Sequence, residues 1–88
     1  MAVITYDVSG KQIEVKAAMK ARGYGDAWVS NGTTCYLPNT TLWKQDADVG
    51  VALQDIQNVA ITQGVRLLRA LAVPHTPWAA IQGEPHTY

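Results

Sequence analysis

With 88 residues the chain has room for one domain and one core. Seven Lys and Arg balance seven Asp and Glu, and this zero net charge argues against nucleic-acid binding driven by total charge, leaving only a local patch. Charged residues make up 16% of the chain and apolar residues 48%, so part of the apolar surface is expected to be buried against a second copy, as a homodimer.

In chain order, Ala2–Tyr6 is short, apolar and β-branched, which predicts a strand. It ends in the acid Asp7. Ser9-Gly10-Lys11-Gln12 fits a capping box, with Ser9 as N-cap, and predicts a helix to about Arg22 that Gly23 ends in a left-handed cap. Val15, Ala18 and Met19, with the stem of Arg22, make its buried stripe, and Ile13 falls off it.

Asn31-Gly32 is a hairpin signal and Pro38-Asn39 a second turn signal. Thr33–Leu37 and Thr40–Lys44 flank the second turn and are expected to pair as antiparallel strands. Ala27–Ser30 is either an extra edge strand or the first half of a long, bulged one. Residues 47–63 carry the clearest pattern: Val49, Ala52, Leu53, Ile56, Val59 and Ala60 form one helical stripe. Asp46 or Asp48 caps its start and Gly64 its end.

Val65–Val73 predicts a strand that is apolar on both faces. One helix layer covers one face of a sheet, so the other face asks for a partner chain. Pro74-His75-Thr76-Pro77 breaks the strand, Trp78–Ile81 is a short apolar run expected as a C-terminal strand, and 82–88 is expected as a flexible tail. The order strand, helix, strand, strand, helix, strand is the α+β, ferredoxin-like split βαβ plan, in a single domain over 1–81. The fold hosts unrelated activities and does not name one.

The lone Cys35 cannot form an internal disulfide, which points to a reducing, cytoplasmic location. The N-terminal residues lack the order of a signal peptide, and no apolar run is long enough to span a bilayer.

Three stretches carry a resemblance: "VITYDVS" (3–9), "TTLWKQ" (40–45), and "GVRLLRALAV" (64–73) followed by "PWAAI" (77–81). Together the pattern resembles the small ferredoxin-like family of CRISPR-associated adaptation endoribonucleases and SinR-like proteins, over most of residues 2–81. The stretch 24–33 is an insertion relative to the short SinR-like members. The resemblance implies a dimer packed sheet to sheet. It also implies that the acid ending the first strand faces its copy and shares a divalent metal, Mg²⁺ or Mn²⁺. Asp7 alone carries over, as catalytic and metal-binding residue. The implied function is a nucleic-acid-associated dimer with metal-dependent nuclease activity.

Each candidate has a plainer alternative. One Asp per chain is a poor cation site, whereas two across a dimer axis supply the oxygen ligands a hard cation needs to activate a water. Asp7 serves equally to bond the backbone of its turn. Lys11, Lys16, Lys20 and Arg22 are candidate nucleic-acid contacts to phosphates, or the solvated face of a helix. Arg66 and Arg69 interrupt an apolar strand and need a partner, for which Asp7 is a candidate. Trp28, Tyr36, Trp43 and Trp78 suit base stacking or core and interface packing. His75 and His86 lack zinc-site spacing, and Cys35 reads as a small buried hydrophobe. The competing function classes are a non-catalytic dimeric interaction module and, third, a small-molecule enzyme on a dimeric ferredoxin-like fold.

Overall fold

The structure, a computed structural model, describes residues 1–74 and 79–88. Its elements are β1 (Ala2–Val8), α1 (Gln12–Ala21), β2 (Ala27–Ser30), β3 (Thr33–Tyr36), β4 (Thr41–Lys44), α2 (Val49–Gln63) and β5 (Leu67–Pro74). The order and the antiparallel sheet make this the expected α+β, ferredoxin-like arrangement.

β1 is the centre of a three-stranded sheet, with β4 and β5 antiparallel on either side. α2 therefore crosses over between two mutually parallel strands. Alternation along β1 sorts its side chains: Ala2, Ile4, Tyr6 and Val8 are buried, while Thr5 and Asp7 face out. The buried set joins Val15 and Met19 of α1, Leu42 of β4, and Ala52, Ile56 and Val59 of α2 in one core. Both helices therefore cover the same face.

The α2 stripe is buried as the spacing required. Ala52, Ile56, Val59 and Ala60 are fully covered, and Val49 and Leu53 pack against the core. Of the two capping candidates Asp48 is the cap, accepting the Val51 N–H at 2.8 Å. Gly64 ends the helix at φ +71°.

The start of α1 differs from the expected capping box. The residue before the helix is Lys11, itself left-handed at φ 53°, with no side-chain cap. Ser9 has a long-range role instead. Its Oγ accepts the Arg66 N–H at 2.9 Å, and its own N–H donates to the Arg66 carbonyl at 3.0 Å. Tertiary pairing with Arg66, just before β5, displaces the local cap. The helix ends at Ala21, one residue short of expectation, and Gly23 takes the left-handed turn.

The expected pairing of Thr33–Leu37 with Thr40–Lys44 does not form. β3 pairs with β2 through the Asn31-Gly32 turn, as a separate two-stranded hairpin. The two-residue turn closes that hairpin locally, and β4 is taken by β1. The place beside β4 is held by one bridge, in which the backbones of Gly25 and Trp43 exchange hydrogen bonds of 2.8 and 3.1 Å. Gly25 is required there: a Cβ would lie 2.8 Å from the Trp43 indole nitrogen. That indole donates to the Ala27 carbonyl at 2.7 Å, and its ring meets Trp28 edge to face at 4.7 Å.

Of the expected C-terminal strand over 77–81, residues 77 and 78 lie outside the described residues, as does His75. Residues 79–88 run back along β3 and the 37–39 turn. The Tyr36 N–H donates to the Gln82 carbonyl at 3.0 Å, and Cys35, buried as expected, sits 3.8 Å from the Ala80 carbonyl.

Candidate functional site

Two places hold the residues singled out by sequence: the open face of the sheet and one side of α1. The strand pairing lays out the open face. Val3 stands between Trp43 and Val73, Thr5 between Thr41 and Leu71, and Asp7 opposite Arg69. Leu71 is 61% exposed and Val73 42% exposed, large values for apolar residues on a sheet. The face is thus an apolar strip along β1 and β5 that ends in a charged pair.

Asp7 closes that strip. The pairing shifts register between Asp7 and Val8, leaving Leu68 as the extra residue of a bulge, 43% exposed. Arg69 Nε donates to Asp7 Oδ2 at 2.8 Å, so the candidate partner for Asp7 is its partner in fact. The pair lies on the surface, not within the core. Among the described residues no group of three or more His, Cys, Asp or Glu gathers where one chain alone would hold a metal. Arg66 is also exposed, and its backbone is engaged by Ser9.

The four basic residues near α1 do not form one free patch. Lys16 is buried, its side chain only 3% exposed. Lys16 and Lys20 each lie 3.3 Å from Asp26 Oδ2. Arg22 binds Asp55 at 3.0 Å, and Tyr24 donates to the other oxygen of the same carboxylate at 2.8 Å. Lys11 is exposed and, among the described residues, has no ion partner within 4.0 Å. As a solvated or phosphate-contacting row, the four residues are not equivalent: three are committed to acids, Asp26 and Asp55, that sequence did not pair with them.

Asp26 is the centre that sequence reasoning missed. Besides the two lysines it meets His86 Nδ1 at 3.4 Å. His86 Nε2 lies 2.6 Å from the Leu37 carbonyl, and its ring meets Tyr36 edge to face. Lys16 Nζ also donates to the Tyr88 main-chain oxygen at 2.6 Å and lies 5.2 Å above the Tyr88 ring. Burial pushes the Asp26 carboxyl up, but the ammonium groups of Lys20 and Lys16 outweigh it and hold it below the usual range. The one sequence signal was Lys16 itself, next to Val15 on the buried side of the helix. A lysine there requires an acid, but its partner lies ten residues along the chain and carries no pattern of its own.

Two tyrosines are perturbed for related reasons. Burial, then the hydrogen bond to Asp55, pushes the Tyr24 hydroxyl well above its ordinary value. Tyr6 is pushed up to about 12, by burial first and by nearby Tyr88 second. Its hydroxyl is buried with no hydrogen-bond partner among the described residues. Beside the open face, Val3, Thr41, the 36–39 segment and residues 79–81 and 83–87 line a groove of about 870 Å³.

Among the described residues no helix is long and apolar enough to cross a membrane. No protein-family model, no curated protein and no solved structure matches the chain.

Proposed function

We propose that the chain is a homodimeric interaction module joined through the open face of its sheet. The observation that carries this reading is the strip formed by exposed Leu71 and Val73 beside half-buried Val3, on a face that neither helix covers. The occupant is a second copy, because the strip is bordered by charges that complement themselves. A two-fold interface brings residue i of one copy to residue j of the other and the reverse. Asp7 and Arg69 provide one acid and one base for such an exchange. The low charged fraction of 16% points the same way. Leu71→Asp tests it. That change is expected to convert a dimer to a folded monomer in size-exclusion chromatography with light scattering. A wild-type chain that elutes as a monomer at high micromolar concentration contradicts it.

A second reading, a nucleic-acid-associated nuclease dependent on Mg²⁺ or Mn²⁺, is favoured by the placement of Asp7. It stands on the same face as the apolar strip, where a dimer of that face brings two carboxylates toward one axis. A cation held between them would position and activate a water for attack on a phosphodiester. Arg69 would first have to release Asp7 Oδ2, and this is why the non-catalytic reading stands ahead. Asp7→Asn separates them. Cleavage of RNA or DNA that requires Mn²⁺ and disappears in Asp7→Asn establishes the nuclease. An absence of cleavage by the wild-type chain with either metal leaves the interaction module.

A further inference from the structure

Lys16 is a buried cation, and buried cations need compensation. Its compensation is shared. Lys16, Lys20 and His86 all converge on Asp26 Oδ2, so two ammonium groups and an imidazole meet one carboxylate. The remaining acceptors around Lys16 Nζ are the Asn39 side-chain oxygen at 3.5 Å and the Tyr88 main-chain oxygen at 2.6 Å. The shortest of the polar contacts to this lysine is therefore an oxygen delivered by the segment 79–88.

That segment is held lightly. Its described hydrogen bonds are Tyr36 to Gln82, His86 to the Leu37 carbonyl, Lys16 to Tyr88, and a long contact from Cys35 to Ala80. Residues 79–85 are exposed, and none of 79–88 belongs to the core. A segment with few buried apolar groups and few backbone bonds opens at low free energy. A further unpaired donor lies close by. The Tyr6 hydroxyl has no partner among the described residues, and Tyr88 is near enough to act on it electrostatically.

We propose that residues 79–88 form a displaceable strap over an anion-binding site that Lys16 and Lys20 build on α1, and that a phosphate-class anion takes the place the Tyr88 oxygen holds on Lys16. Opening removes the oxygen and the aromatic ring from Lys16 and leaves two ammonium groups against one carboxylate. A phosphate supplies the missing negative charge and several acceptor oxygens at once. The i, i+4 spacing of Lys16 and Lys20 places both on one side of the helix, able to hold one anion together. The strap thus sets the apparent affinity: the site binds in proportion to the fraction of molecules in which it is open.

The test uses the full chain with the strap loosened. His86→Ala and Tyr88→Ala together remove the imidazole contacts and the ring over Lys16 without touching the core cluster. Inorganic pyrophosphate, titrated by calorimetry at low salt, is expected to bind the double variant about ten-fold more tightly than the wild type. Adding Lys16→Gln is expected to abolish that gain. Acetylation of Lys16, followed by mass spectrometry with Lys11 as internal reference, is expected to accelerate by a similar factor. An unchanged acetylation rate overturns the displaceable strap. Faster acetylation without tighter pyrophosphate binding, or a gain that survives Lys16→Gln, overturns the anion site. A measurement on the unaltered chain guards against a variant that misfolds. Millimolar pyrophosphate is expected to shift the ring NMR resonances of His86 and Tyr88, and resonances that stay in place contradict the proposal.

Discussion

Arg69 reaches across from β5 and closes a 2.8 Å hydrogen bond onto Asp7, the residue directly opposite it on β1. The pair sits at a bulge, at the end of the apolar strip. Both side chains are at least half exposed, so the attraction is screened by water. Asp7→Asn is therefore expected to change unfolding free energy by less than about 1 kcal/mol, as other surface pairs do. Urea unfolding at low salt checks this. A loss of several kcal/mol would show that Asp7 is a structural anchor and would remove it as a free site for exchange between copies.

Asp26 is expected to behave differently, because it balances a buried lysine. Asp26→Asn leaves Lys16 without its carboxylate and is expected to cost about 2 kcal/mol, below the ~3–5 kcal/mol typical of a wholly buried pair. The carboxyl is held below its ordinary value of 3.8, so the folded state favours its ionised form. The resulting stability is complete above that value and is lost as pH falls through the lower folded-state value. The gap in urea midpoint between wild type and Asp26→Asn should therefore narrow on acidification below pH 4. A gap that is constant with pH would show that the charge on Asp26 is not what stabilises the cluster.

Tyr6 offers the opposite case, a buried polar atom without a partner. Tyr6→Phe removes the orphan hydroxyl and keeps the ring, and it is expected to leave stability unchanged or raise it by up to about 1 kcal/mol. The sign with pH follows from the raised value of about 12 against 10.0 in the unfolded chain. Folding holds the proton, so the stability from Tyr6 is complete below pH 10 and is lost as pH rises toward 12. Thermal melts over that interval should fall more steeply for the wild type than for Tyr6→Phe. A clear loss of stability in Tyr6→Phe at neutral pH would mean that the hydroxyl has a partner after all.

Local pattern located the elements whose stability is local, and failed where tertiary pairing competes. The α2 stripe and its Asp48 and Gly64 ends were legible because helical spacing, cap and stop agree within one segment. Ser9 reads as a cap because the four-residue box is a local signal, yet its hydroxyl bonds Arg66, 57 residues away. The β2–β3 hairpin was ambiguous because two turn signals, Asn31-Gly32 and Pro38-Asn39, compete for the same strand. The site divides in the same way. Asp7 and its pairing with Arg69 could be read from a strand end and a charged residue in an apolar run. The Asp26 cluster could not, since it joins Lys16 and Lys20 of α1 to His86 and Tyr88 of a distant segment, and no spacing links the two.

The claim that joins these observations is that the exposed face of β1 and β5 meets its own copy. Sedimentation equilibrium of the wild type and of Leu71→Asp, from low to high micromolar concentration, tests it most directly. The account predicts twice the 9.6 kDa chain mass for the wild type, and the single chain mass with an unchanged circular dichroism spectrum for Leu71→Asp. A wild-type chain that stays at the single mass throughout, or a Leu71→Asp chain that remains dimeric, contradicts it.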